Sequence, residues 1–160
     1  MKIESKLTSA LVFAGILFCS ELLNCGISPS SSNNNNNNKQ QTNTLDSLLT
    51  SISEIEKAFA NQDSDVSVFV RGSIISILSD DTVGDAHQRF IIKLSNSQTL
   101  LIVHNIDIAP RITGISTGSV VYVHGDYIWN SQGGLIHWTH HDPNGIHENG
   151  WIIFNDKKYQ

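Results

Sequence analysis

Val66-Ser67-Val68-Phe69-Val70-Arg71-Gly72-Ser73-Ile74-Ile75-Ser76-Ile77 decides the fold. Apolar residues recur at every second position (Val66, Val68, Val70, then Ile74 or Ile75 and Ile77), the period of a strand with one face buried. Gly72 interrupts the run at its middle, where a bulge or sharp bend is expected. Downstream, the polar turn Asp80-Asp81-Thr82-Val83-Gly84-Asp85 leads to strands over 88–94 and 99–103, joined by Ser95-Asn96-Ser97-Gln98. Residues 104–117, broken by Pro110 and Gly114, cannot form a long helix and read as a crossing connection. Gly118-Ser119 opens a strand over 120–128, and a histidine-bearing segment opens the last. A curled first strand, a three-strand meander, a crossing connection and two further strands is the order of a mainly β, OB-like five-stranded barrel over residues 66–160. An SH3-like barrel stays open, because strand count alone does not fix topology.

Upstream of the barrel, Leu45, Leu48, Leu49, Ile52, Ile55 and Phe59 share one face at helical spacing, so an amphipathic helix is expected over 44–61. Thr44 is its expected N-cap and Asn61 its stop. Residues 26–43, with six consecutive asparagines at 33–38, are too polar to bury a core and read as a disordered tether. Residues 1–25 have the layout of a signal peptide: Lys2 and Lys6, an apolar run over 7–18 too short to span a bilayer, then Leu22-Leu23-Asn24-Cys25. The last four residues resemble a lipobox with Cys25 as the lipidated residue, which implies an exported protein held at the bacterial envelope membrane by its lipid. A plain cleaved signal or an uncleaved anchor is the alternative, since Asn24 and Glu21 depart from the usual pattern.

Ten Lys and Arg against fifteen Asp and Glu give a net charge of −5. With the basic residues scattered, a nucleic-acid partner is disfavoured, because phosphates are neutralised by clustered cations. No cysteine follows Cys25, so a metal would have to be held by His, Asp, Glu or amides. No cofactor is expected from the motifs, and a divalent metal is the one alternative.

Gly133-Gly134-Leu135-Ile136-His137-Trp138-Thr139-His140-His141-Asp142-Pro143-Asn144-Gly145 packs three of the seven histidines into five residues. Asp142-Pro143-Asn144-Gly145 carries turn chemistry at all four positions and predicts a tight hairpin. In that register His141 faces His147 and His137 faces Trp151. Strand spacing then separates His137 from His141 by roughly 13 Å, so they cannot share an ion. His141 and His147 are left as the metal candidates, with His87 or His104 as further donors. The candidate binding surface is His137, Trp138, Thr139, His140, His141, Asp142, His147 and Trp151, with His87 and Arg89.

His104, Asp107 and Arg111 form a second constellation, able to act as base, acid and anion clamp or to serve as an ordinary Asp107–Arg111 ion pair. Asp80, Asp81 and Asp85 lack the ligand spacing of a calcium loop and read as a solvated hairpin tip. No nucleophile elbow, phosphate-binding glycine loop or His-Glu-x-x-His helix is present.

The segments His87-Gln88-Arg89-Phe90, His104-Asn105-Ile106-Asp107 with Ala109-Pro110-Arg111, Gly133-Gly134 through His137-Trp138-Thr139-His140-His141-Asp142-Pro143, and Gly150-Trp151 with Tyr159-Gln160 resemble the bacterial family called domain of unknown function 3465. The resemblance implies a small exported or envelope protein and brings no activity with it. Ile106-Asp107-Ile108-Ala109-Pro110-Arg111 is also faintly similar to the Ile-Asp-x-Pro-Glu segment of thermonucleases, with an extra residue and an arginine in place of the glutamate, which speaks against nuclease activity. A binding module for a glycan or peptide of the envelope is therefore the first expectation. A metal-dependent or His/Asp hydrolase of envelope substrates is the second, and a structural lipoprotein the third.

Overall fold

A computed structural model describes residues 34–160, with side chains from Lys39 onward; the signal segment, Cys25 and the start of the tether lie outside the described residues. Eight elements follow in order: α1 (Asn34–Asn61), β1 (Val66–Ile77), β2 (His87–Lys93), β3 (Thr99–Asn105), β4 (Val120–Ile128), β5 (Leu135–His137), β6 (Trp151–Phe154) and β7 (Lys157–Tyr159).

The sheet runs β1-β2-β3-β5-β4, and β1 pairs again with β4, so five strands close into the expected OB-like barrel. β1 achieves this by spending its length twice: residues 66–73 pair with β4, and residues 73–77 pair with β2. The remaining seam is parallel, β3 to β5, through Leu101↔Leu135 and Ile102↔Ile136. The bend in β1 falls between Ile74 and Ser76 rather than at Gly72. Gly72 instead makes room for a side chain of the neighbouring strand, where a Cβ would sit 2.8 Å from Cδ1 of Ile92. Alternation then places Val68, Val70, Phe90, Ile92, Leu100, Ile102, Val121, Val123, Ile136 and Ile152 inside, all fully buried.

Helix α1 starts ten positions before the expected cap, so residues 34–43, read as tether, have helical backbone. Thr44 does not cap; its hydroxyl donates to the Gln40 carbonyl one turn earlier. Once packing nucleates a helix, each added residue costs little, and this lets a weakly helical polar run continue it. The docked face is Ser51, Ile55 and Ala58, with Leu48 and Ile52 half-buried. Leu45 and Leu49, expected in the contact, stay 58% and 56% exposed because the helix meets only one margin of the barrel. There the Phe69 N–H, which lies in the part of β1 that β2 does not reach, donates to Ser51 Oγ. Asn96 of the β2–β3 turn donates to Glu56. No helix among the described residues is long and apolar enough to cross a membrane.

The hairpin expected over 137–151 does not form. β5 and β6 lie end to end on one edge of β4, with His137 opposite Asp126 and Trp151 opposite His124. They are two halves of one barrel strand, which the chain leaves at Trp138 and rejoins at Gly150. Trp138 turns the chain outward with a φ of 53°. The Gly150 N–H closes the excursion on the His140 carbonyl at 2.9 Å. Residues 138–150 thus form an Ω-type loop, compact and with adjacent ends.

Candidate functional site

The loop is held from inside by Asp142. Its Oδ2 accepts from the amides of Ile146 and His147 at 2.6 and 2.7 Å, and its Oδ1 from the amide of Asn144 at 2.9 Å. The His147 and Asn144 amides foremost hold this carboxyl below the usual carboxylate range. The turn itself forms as the sequence implies, closed by Gly145 N–H on the Asp142 carbonyl, with Gly145 at φ 66°. Trp138 donates its indole N–H to the Glu148 carbonyl, and its ring lies 4.8 Å from His140 and 4.5 Å from His147.

Two histidines fasten the loop to the barrel by opposite protonation states. His104, fully buried on β3, has Nδ1 2.8 Å from Thr139 Oγ1 and Nε2 3.2 Å from the Pro110 carbonyl. A carbonyl only accepts, so Nε2 carries the proton and Nδ1 accepts from the threonine hydroxyl. Desolvation lowers its pKa and keeps the ring neutral. His147 has Nδ1 2.8 Å from the Glu148 carbonyl and Nε2 3.0 Å from Asp126 Oδ2. Both nitrogens face acceptors, which requires the imidazolium. Its pKa is raised, chiefly by the Glu148 carbonyl and against desolvation, with Asp126, Asp142 and Glu148 adding their charge.

A raised pKa fixes the sign of a pH effect. The clasp contributes fully below the unfolded value and is lost as pH rises through the higher folded one. Amide exchange at Ile146 and His147, corrected for intrinsic rate, should therefore be slower at about pH 5.5 than at about pH 8.5. Equal protection at both would mean that the loop is held without the imidazolium.

Beside this clasp lies an outward face built by register. Pairing of β1 with β4 and of β4 with β6 sets Phe69, His124 and Trp151 in one row and Arg71, Tyr122 and Ile153 in the next. All but exposed Arg71 are half-buried. Phe69 stacks on Tyr122 at 6.2 Å and tilts against Trp151 at 5.3 Å, and His124 stacks on Trp151 at 5.5 Å. Arg71 stands 5.9 Å from the Tyr122 ring centre, and Lys158 stands 5.5 Å from that of Trp151. Glu148, 3.7 Å from His124, marks the border with the loop.

A sequence model of the family described as "Protein of unknown function (DUF3465)" matches residues 42–160. The chain belongs to that family. No curated protein matches it.

Within the DUF3465 domain, the sequence candidates divide between fastening and surface. Asn105 Oδ1 accepts from the amides of Asp107 and Ile108, and Asp107 Oδ2 accepts from Ala86 N–H at 2.7 Å. The expected Asp107–Arg111 pair is absent; Arg111 pairs with Asp80 across the hairpin tip. Arg89 donates to the Ser79 carbonyl and lies 3.9 Å from Asp81, so it too serves the tip, next to half-buried His87. His141 and His147 are not cross-strand neighbours, because there is no β5–β6 ladder; both are exposed. His140 is buried and donates Nδ1–H to the His141 carbonyl. His137 faces Asp126, and burial lowers its pKa. No group of three or more His, Cys, Asp or Glu among the described residues is arranged to hold a metal.

Trp151 is the one candidate shared with the aromatic face. Phe69, Arg71, Tyr122, His124 and Lys158 were not singled out by the sequence. Each sits at an outward position of a strand, and only the register shows that they adjoin.

Proposed function

We propose that this DUF3465 chain is an envelope-anchored binding module whose ligand, a glycan polymer, lies on the Phe69, Tyr122, Trp151 and His124 face. The stacked, half-exposed aromatic row carries this reading. A solvent-facing patch of contiguous rings is costly to keep unless something covers it, and flat ring faces suit the C–H surfaces of sugar rings. Cations at both ends and the Glu148 carboxylate along one side give the patch a defined border. The fold supports the reading only broadly: OB barrels commonly bind oligosaccharides and oligonucleotides on the strand 2–3 wall, whereas this face lies on the β1, β4 and β6 wall. Anchoring rests on the lipobox-like Leu22-Leu23-Asn24-Cys25 and the polar run after it.

The hydrolase reading is less well supported. His104 is sealed in the interior with both ring nitrogens engaged, and the Asp107 carboxylate is occupied by a backbone amide. His104 is therefore not presented to a substrate, and Asp107, though exposed, has no free histidine beside it to act with.

One fractionation experiment tests the proposal. Expressed as the full chain, the protein should sediment with membranes and leave them in a Cys25→Ser variant. The released protein should co-sediment with murein sacculi or bind soluble polysaccharides, and Trp151→Ala should weaken that binding about tenfold, the equivalent of about 1.4 kcal/mol. Unchanged polymer binding by Trp151→Ala and Tyr122→Ala would sink the aromatic-face assignment, and a Cys25→Ser protein that stays in the membrane fraction would sink the lipid anchor.

A further inference from the structure

We infer that the polymer bound on this face carries carboxylates, read by Arg71 and Lys158; the inference rests on the binding-module proposal and adds the ligand's chemical class. The register supplies the argument. Arg71 pairs with Tyr122, Tyr122 with Ile153, and Ile153 with Lys158, so the four occupy one row across β1, β4, β6 and β7. Directly paired residues share a face, and Arg71 and Lys158 are both exposed at its two ends. Three strand spacings separate their Cα atoms by roughly 14 Å. The row is thus a cation, a tyrosine, an isoleucine and a second cation, with Phe69, His124 and Trp151 alongside.

Charge points the same way. The chain is acidic, with a net charge of −5, yet neither cation has an ion-pair partner among the described residues. Among the described residues the ion pairs engage Arg89, Arg111, His124 and His147, while Arg71 and Lys158 contact only rings. Beyond Arg71 the face runs into a groove of about 420 Å³ under α1, lined by Gln40, Gln41, Thr44, Leu45, Leu48 and Tyr122 with Arg71, and free of carboxylates. Its side-chain amides suit sugar hydroxyls. On the opposite border exposed Glu148 presents negative charge next to His124. An anionic chain is therefore repelled at the loop and drawn along the Arg71–Lys158 row, which fixes its direction across the strands. Two free cations on this face are too few for a nucleic acid, whose binding depends on neutralising many phosphates. They are enough for a glycan with intermittent carboxylates, where stacking supplies the rest.

The test is a calorimetric titration of the released full-length protein with alginate oligomers, with neutral dextran oligomers of matched length and with single-stranded DNA. Alginate should bind best. Arg71→Gln combined with Lys158→Gln should weaken alginate about tenfold while leaving any dextran binding the same, and added salt should act as the double substitution does. Dextran bound as tightly as alginate, or alginate affinity indifferent to the double substitution, overturns the charge assignment and leaves the aromatic site standing. Binding of none of the three, with sacculi also unbound, overturns both readings. DNA bound more tightly than alginate, through the same two cations, replaces the glycan with a nucleic acid.

Discussion

Gly150→Ala should cost the protein about 3 kcal/mol or more and lower its melting temperature by roughly 10 °C. An added Cβ would overlap the Trp138 carbonyl oxygen and sit 2.7 Å from its carbon and 2.9 Å from the His124 carbonyl oxygen. All three are backbone atoms, so no side-chain rotation can relieve the overlap. The chain cannot simply retreat either, because the Gly150 N–H is bonded to the His140 carbonyl and Trp151 is already in register on β4. Relief must come from parting the two ends of the loop, and with them the junction of β5 and β6. A calorimetric melt decides the matter: a midpoint within about 2 °C of wild type would mean that the backbones do not cross as tightly as described.

Thr139→Val should cost about 2 kcal/mol, and Thr139→Ser much less. Valine keeps the shape of threonine but removes the hydroxyl that donates to Nδ1 of His104. The histidine is fully buried and holds its other nitrogen on the Pro110 carbonyl, so the freed lone pair meets neither water nor a second donor. Leaving one buried partner unsatisfied is worse than losing the bond alone. Serine restores the hydroxyl and gives up only a methyl. Urea unfolding separates the cases; equal midpoints for valine and threonine would show that His104 does not depend on this bond. The pair ties the loop to the crossing connection through one ring, so the valine variant should also speed amide exchange in both segments.

The barrel was legible because it follows from a period of two repeated over strands with turn chemistry between them. Residues 120–128 form the expected strand, and the length of β1 is legible, but its bend lies at Ile74–Ser76 and not at the central glycine, and its double pairing has no signal in the sequence. The absence of the expected hairpin has a specific physical reason. Asp142-Pro143-Asn144-Gly145 does form its turn, but turn chemistry dictates four residues and says nothing about whether the flanks pair. The departure from the strand is made by Trp138 at a positive φ, a position for which glycine would have been the visible signal. The Asp107–Arg111 pairing looked natural at four residues' separation, yet Asn105 turns the chain there and Arg111 reaches Asp80 instead. The helix began early because its start is set by propagation from a docked face, not by a cap. The aromatic face was hidden most completely: Phe69, Tyr122 and Trp151 are distant in the chain, and nothing short of strand register brings them together.

Along β4, His137 occupies the place opposite Asp126 and Trp151 the place opposite His124, so a continuous strand would need a single residue facing Gly125. The chain supplies residues 138–150 instead. The loop is therefore a cassette standing where the strand lacks a single residue. Between Thr139, which holds His104, and Gly150, which closes the excursion, the loop can be shortened or rebuilt while the barrel keeps its hydrogen-bond ladder and the aromatic wall keeps its spacing.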